Sequence, residues 1–281
     1  MRMRNIWVVG GDLRHRALAK ALEEDGHVVH TLALGYEGER PEGMDRADCV
    51  ILPLPAMDGR GMLNAPLAER NWHPGEILDR MRPGQPLLAG MTDERLKTLA
   101  EERGLPLLDY FAREELAVRN GIPTAEGAIR IAMEGLPITI HGCRTLVIGF
   151  GRLGKALAPR LLALGADLWV AARSHAQRAE AESMGVNTGG LERLSDWLCS
   201  YDLVINTVPA CILGGEELSA LKEGALVIDL ASRPGGVDFA AAERLGVNVI
   251  WALALPGKEA PVTAGIYIRD TVYHMLEELG V

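Results

Sequence analysis

The chain reads as an α/β protein of two Rossmann-like lobes, each a doubly wound parallel sheet, with a ligand cleft expected between the lobes. Three observations carry this reading. Short apolar runs alternate with amphipathic stretches along most of the 281 residues, the pattern of an open parallel sheet covered by helices. A glycine-rich turn, GFGRLG at 149–154, joins one such run to one such stretch. The length favours two domains over one.

The glycine turn is the most specific signal. Leu146-Val147-Ile148 enters it as a strand. Leu153, Leu157, Leu161 and Leu164 mark one face of the helix that follows, and Gly165 ends it. A second apolar run, Leu168 to Ala172, then reaches Arg173-Ser174. Strand, glycine turn, helix, strand is the context that a dinucleotide fingerprint requires. Gly149 allows the tight turn, Gly151 lets the backbone approach a pyrophosphate, and Gly154 lets the helix lie close to the sheet. With Arg152 and Leu153 between them, the helix start offers free N–H groups and a positive dipole end to phosphate.

After the second strand, an NAD-specific site places Asp or Glu against the ribose 2′-OH. This chain has Arg173 and Ser174 there, and no acid before Glu180. A guanidinium grips a 2′-phosphate with paired charge-assisted hydrogen bonds, where a carboxylate repels it. NADP is therefore the expected cofactor, with NAD possible, and Arg178 stands one helical turn on as a second phosphate ligand. The plainer alternative is a solvated arginine after a strand.

The first part of the chain alternates in the same way. Ile6–Val9 is a strand running into Gly10-Gly11-Asp12, Leu13–Glu24 an amphipathic helix closed by Gly26, and His27–Leu32 a second strand. Cys49–Leu52, Pro86–Ala89 and Leu105–Leu108 follow as strands, with a helix over Asp93–Arg103. Residues 54–75, rich in Pro and Gly, read as a long loop, a segment type that often carries function. The second sheet continues near Val186 and at Leu203–Asn206, Leu226–Asp229 and Val249–Trp251. The domain division is 1–118, a flavodoxin- or Rossmann-like substrate lobe completed by a C-terminal helix over 264–281, and 119–263, a nucleotide lobe. A linking helix over 122–134, with Pro123 at its start, joins them.

Composition bounds the function. The net charge of −9 argues against nucleic acid or an anionic membrane surface as partner. No apolar run approaches the roughly 20 residues that span a bilayer, and Met1-Arg2-Met3-Arg4 leads into no signal-peptide core. Cys49, Cys143, Cys199 and Cys211 are scattered, without metal-ligand spacing, and read as small buried hydrophobes. No metal site is expected, and the setting reads as a reducing cytoplasm.

Ligands of open α/β sheets bind at the carboxyl ends of strands, which selects the loops that matter. Asn206, Thr207 and Pro209 end a strand beside the expected nicotinamide ribose, as cofactor contacts or as a strand cap. Arg233, in the Ser-Arg-Pro-Gly-Gly loop after Asp229, is a cation for a ligand or a surface residue. Lys258 is a carboxylate anchor, a proton donor or a solvated lysine, and Thr263 caps the last helix and touches substrate. Thr124 and Glu126 open the linking helix, as orienter or general base, or merely as residues favourable to its dipole. Arg14 follows the first glycine turn and faces substrate. The seven histidines are dispersed and form no catalytic set.

The segments VVGGDLR (8–14), VILPLPAMDGRG (50–61), IPTAEGAI (122–129), TIHG (139–142), GFGRLG, AARSHA (171–176), INTVPA (205–210), DLASRPGGVDF (229–239) and ALPGKEAPVTAG (254–265) together resemble the family of dipicolinate synthase A subunits. The resemblance implies oxidation of dihydrodipicolinate to pyridine-2,6-dicarboxylate during sporulation, in the mother-cell cytoplasm. It also implies a partner, the small flavoprotein-like B subunit, in an oligomer. Such a reaction needs an oxidised nicotinamide, a modest base and groups for two carboxylates, with Arg14, Thr124, Glu126, Arg233, Lys258 and Thr263 as candidates. Two other readings stand beside it. One is a stand-alone 2-hydroxy-acid dehydrogenase or reductase, which the missing Glu-His pair disfavours. The other is a non-catalytic NADP-binding module that regulates a flavoprotein partner.

Overall fold

A computed structural model of the chain describes residues 2–36, 38 and 40–280. Met1 and Val281, the outer limits of the expected domain division, lie outside the described residues. The chain forms two compact units, one of Met1–Asn120 with Pro256–Val281 and one of Gly121–Leu255.

In the first unit the order is β1 (Asn5–Val9), α1 (Leu13–Glu24), β2 (Val28–Leu32), β3 (Cys49–Ile51), α2 (Pro74–Leu78), β4 (Leu87–Ala89), α3 (Glu94–Glu101) and β5 (Leu107–Asp109). The strands make a five-stranded sheet in the order β2-β1-β3-β4-β5, parallel at each pairing. Alternate residues of one strand enter different cores. Trp7 and Val9 pack with Val50, Leu52 and Leu87 on one face. Ile6 and Val8 pack with Cys49, Ile51 and Leu88 on the other. Burial on both faces is why these strands read as continuous apolar runs.

Helix α4 (Glu114–Gly135) runs from the end of the first stretch into the second unit. The second unit then contains β6 (Arg144–Ile148), α5 (Arg152–Ala163), β7 (Asp167–Ala171), α6 (His175–Ser183), β8 (Asn187–Gly189), β9 (Leu203–Asn206), α7 (Gly215–Ser219), β10 (Leu226–Asp229), α8 (Phe239–Leu245) and β11 (Asn248–Trp251). The six strands are ordered β11-β10-β9-β6-β7-β8, again parallel throughout. Counted from β6, this is the strand order of a dinucleotide-binding sheet, whose direction reverses beside β6 and β9.

The helices depart from the sequence reading at two places. The linking helix expected over 122–134 is α4, which begins at Glu114 and carries Pro123 inside it. Residues 114–120 are good helix formers, and Glu114 and Glu115 suit the positive end of the dipole. Pro123 therefore sits inside an established helix instead of starting one. A Cβ at Gly121 would lie 3.4 Å from the Ala156 Cβ, so the two helices pass closely there. The segment after β11 is a short helix, α9 (Leu255–Glu259), and the final helix, α10, starts at Pro261 and ends at Glu278. Ala260 is its N-cap and no side chain caps it; Thr263 stands inside the first turn, so its expected capping role is absent. α10 packs on α1 within the first unit, where a Cβ at Gly265 would overlap the Arg14 carbonyl oxygen. Cys49 and Cys143 are buried as expected, but Cys199 and Cys211 are exposed. Among the described residues, no helix is long and apolar enough to cross a membrane.

Candidate functional site

The glycine turn between β6 and α5 divides its labour. Gly149 adopts φ +94° and donates its N–H to the Ala171 carbonyl at 2.8 Å. A Cβ on it would overlap Thr207 Oγ1. A Cβ on Gly154 would overlap the Gly149 carbonyl oxygen, so helix and turn touch backbone to backbone. Gly151 differs, because nothing lies within 4 Å of a Cβ built there. It is the N-cap of α5 and gives no side-chain cap, which leaves the first-turn N–H groups of Leu153 and Gly154 for a ligand. An open cradle at the positive end of a helix fits a dinucleotide pyrophosphate.

The end of β7 is cationic. Arg173 is exposed, and no described carboxylate pairs with it. Ser174 caps α6 by accepting from the Gln177 N–H at 3.5 Å. Arg178 folds back, with Nη1 3.4 Å from the Ala172 carbonyl and Nη2 2.8 Å from His175 Nδ1. The nearest following acid, Glu180, is taken by Lys155 at 2.9 Å.

At the ends of β9 and β10, two fully buried polar residues organise the loops. Asn206 Nδ2 donates to Asp229 Oδ1 at 2.8 Å and to the Val208 carbonyl at 3.0 Å, and its Oδ1 accepts from the Val208 N–H at 3.1 Å. The Asp229 carboxylate also accepts from the N–H of Ala231 at 3.1 Å and of Gly236 at 2.8 Å. The Asn206 side-chain amide is therefore committed inside the protein. Thr207 Oγ1 donates to the Ile148 carbonyl at 2.9 Å, and Pro209 is exposed. Asp229→Ala strands three donors and should lower stability by about 2–4 kcal/mol in urea unfolding; a midpoint equal to that of the parent would show that the carboxylate is not the hub.

The remaining candidates divide between the units. Arg233 is exposed on the loop after β10, with its guanidinium carbon 5.5 Å from the centre of the Trp251 ring and no described carboxylate on it. Thr124 is half-buried within α4, not at a helix start. Glu126, on the exposed side of α4, pairs with Arg160 at 3.4 Å. The premise that both sit at a positive helix terminus fails, because α4 begins at Glu114. In the first unit, Lys258 is exposed on α9 and Thr263 is half-buried on α10.

The first unit has its own glycine turn, after β1, and it is closed. Gly10 and Gly11 adopt φ +72° and +104°. A Cβ at Gly10 would lie 2.9 Å from Leu63, one at Gly11 would overlap the His15 ring, and the Gly11 N–H is taken by the Asn64 carbonyl at 2.9 Å. Arg14, buried, directs Nε and Nη2 to Asp12 at 3.0 and 2.9 Å and Nη2 to the Leu54 carbonyl at 2.5 Å. Most of its fork is thus committed, which narrows its expected substrate contact to Nη1. A separate cleft of about 420 Å³, lined by Gly35, Tyr36, Arg70 and Trp72, contains none of the candidate residues.

Beneath this turn His15 is fully buried. Its Nε2 lies 3.2 Å from the Tyr110 hydroxyl, which donates to the Leu52 carbonyl at 2.9 Å, and its Nδ1 has no hydrogen-bond partner. Burial lowers its pKa from the ordinary 6.5, outweighing the favourable Asp12 carboxylate. The folded state then binds the proton less readily than the unfolded chain. Stability is full above about pH 6.5 and falls as pH drops from there toward the folded pKa. Melting temperature should decline from pH 7 to pH 5, and His15→Asn should flatten that decline; an equal slope in both proteins would assign it elsewhere.

Asp229 and Trp251 carry only a weak signal in the sequence. The signal for Asp229 was an acid closing the apolar strand LVID; that for Trp251 was a large aromatic at the carboxyl end of the last strand.

An open glycine cradle on a parallel sheet of this order defines a dinucleotide-binding domain, and the similarities that follow make the protein an NAD(P)-dependent oxidoreductase. Residues 119–243 match the D-isomer specific 2-hydroxyacid dehydrogenase, NAD binding domain, and residues 5–111 match the N-terminal domain of the dipicolinate synthase A subunit. The chain is 33% identical to the dipicolinate synthase A subunit of Bacillus subtilis (strain 168) over 285 residues, 98% of this chain and 96% of that protein. It belongs to the family of dipicolinate synthase A subunits. The crystal structure of the Bacillus subtilis protein is similar at a TM-score of 0.88 and 31% identity, covering 100% of this chain and 98% of that one. The structure of the corresponding protein from Bacillus halodurans gives 0.89 and 28%, covering 97% of each chain.

Proposed function

We propose that this chain oxidises dihydrodipicolinate to dipicolinate with NADP⁺ as the A subunit of a dipicolinate synthase, working with a flavoprotein-like B subunit in the mother-cell cytoplasm during sporulation. The observation that carries the proposal is the open Gly151 cradle beside an acid-free, arginine-bearing strand end, in a chain of this family. When bound, the nicotinamide accepts a hydride from the dihydropyridine ring; the ring also releases a proton and becomes aromatic.

The chain's own residues bind and orient. Gly149, Gly151 and Gly154 shape the cradle, and the first turn of α5, from Arg152 through Leu153 to Gly154, would hold the pyrophosphate with backbone N–H groups. Arg173, Ser174 and Arg178 hold the 2′-phosphate, which favours NADP over NAD. Thr207 and Pro209 border the nicotinamide ribose, in a loop that Asn206 and Asp229 keep rigid. Arg233 anchors a ring carboxylate, because no described carboxylate engages its donors and a guanidinium meets a carboxylate bidentately. Arg14 Nη1, Lys258, Thr124 and Thr263 are secondary candidates for the substrate.

The test mixes this chain, the B subunit, NADP⁺ and freshly made dihydrodipicolinate and follows the ultraviolet absorbance of dipicolinate. Acceleration over the spontaneous rate supports the reading, and the spontaneous rate alone removes it.

A further inference from the structure

We propose that Trp251 is a positioning residue whose indole holds Arg233 at the carboxyl edge of the nucleotide sheet, ready for a substrate carboxylate. The proposal rests on the reading of Arg233 as that anchor. Trp251 closes β11 in register with Asp229, the last residue of β10. Its Nε1–H donates to the Ala231 carbonyl at 2.9 Å, which ties the ring to the loop that carries Arg233. Phe239 stacks on the indole with ring centres 5.0 Å apart and planes inclined by 27°. A Cβ at Gly235 would come within 3.3 Å of both rings, so the loop lies directly on this aromatic pair. Asp229 pins the same loop at both sides of Arg233, through the N–H groups of Ala231 and Gly236.

The backbone around Arg233 is therefore fixed from three directions, while its side chain is exposed and carries no described carboxylate. The one group that the structure sets against its guanidinium, among the described residues, is the indole, 5.5 Å from ring centre to guanidinium carbon. An aromatic face attracts a guanidinium without consuming its in-plane N–H donors. Those donors stay available as a fork for a carboxylate, and less side-chain freedom is lost when the fork closes. Had a glutamate stood in place of Trp251, it would compete with the substrate for the same donors. Trp251 is itself partly exposed, so the platform reaches solvent.

A double-mutant cycle separates this role from ordinary packing. Trp251→Leu, Arg233→Ala and the double variant, each assembled with its B partner, are compared with the parent for KM of dihydrodipicolinate, affinity for dipicolinate and affinity for NADP⁺. Arg233→Ala should raise KM by about 30-fold, the loss of one charge-assisted pair. Trp251→Leu should raise it about 5-fold, as expected of a lost cation–π contact, and by less than about 2-fold when Arg233 is already alanine. Trp251→Phe, which keeps a ring, should recover most of the loss, and NADP⁺ affinity should stay within about 2-fold throughout. An equal effect of Trp251→Leu in both backgrounds, or no effect in either, overturns the positioning role. Unchanged KM and dipicolinate affinity in Arg233→Ala overturn the anchor reading itself. Should the leucine variant lose NADP⁺ binding, Trp251→Met, which keeps volume without a ring, takes its place in the cycle.

Discussion

Gly151→Val should abolish measurable NADP⁺ binding, weakening it at least about 100-fold by filling the helix-terminal phosphate site, while the protein stays folded. Nothing lies within 4 Å of a Cβ at this position, and its backbone is extended, at φ −84° and ψ −157°, with no positive φ that would demand glycine. The fold loses only a somewhat better helix cap, about 1 kcal/mol. The isopropyl group instead fills the space through which a pyrophosphate reaches the first turn of α5. Gly154→Val, three residues on, should do the opposite damage. Its Cβ would overlap the Gly149 carbonyl oxygen, so turn and helix must separate, at a cost of about 3 kcal/mol or more. Calorimetric titration with NADP⁺ and thermal melting of both variants check the pair. Equal loss of stability in the two would mean that the glycines serve packing alone and that the cradle is not a ligand site.

Arg173→Asp should reverse the choice of cofactor. Two charge-assisted hydrogen bonds to a 2′-phosphate are worth about 3 kcal/mol together, or roughly 100-fold in affinity, and the introduced carboxylate repels the phosphate as well. The same carboxylate can accept from a ribose 2′-OH, so NAD⁺ affinity should hold or rise. The paired geometry of Lys155 and Glu180 keeps the one nearby acid from offsetting Arg173 in the parent protein. Parallel titrations with NADP⁺ and NAD⁺ read the result. Equal weakening of both cofactors would show that Arg173 does not meet the 2′-phosphate.

Much of this molecule is legible in its sequence, for identifiable reasons. Strands such as Leu203–Asn206 and Leu226–Asp229 match their expected limits because parallel strands buried on both faces are continuous apolar runs bounded by loop residues. The turn at 149–154 is legible because each glycine answers a separate steric demand, and Cβ contacts at Gly149, Gly151 and Gly154 differ accordingly. The helix ends were less so. Pro123 resembles a helix start, yet the residues before it are helix formers, and the proline is absorbed inside α4. Thr263 resembles a cap, but Pro261 already occupies the first turn of α10. Both errors misplace candidate site residues, since Thr124 and Glu126 were expected to gain their chemistry from a helix terminus.

The side-chain commitments were illegible for a different reason. Asn206 stands where a cofactor contact is expected, but its amide is consumed by Asp229, 23 residues away in sequence and beside it in the sheet. Arg14 follows a glycine turn that looks ready for a ligand, and Leu63 and Asn64 fill that turn from a distant loop. Only pairing across the fold distinguishes a free donor from a spent one. By that criterion Arg233 gains standing and Arg14 loses some, although the two look alike in sequence.

In the proposed reaction the hydride removed from dihydrodipicolinate goes to the nicotinamide bound at this glycine cradle. The most direct measurement is the yield of reduced cofactor per dipicolinate formed, taken without oxygen in the assembled A and B subunits with NADP⁺. One NADPH should form for each dipicolinate, and neither product should form with Gly151→Val in place of the parent chain. Dipicolinate formed without NADPH, or formed equally well by the Gly151→Val protein, would contradict it and leave this chain a non-catalytic nucleotide-binding partner.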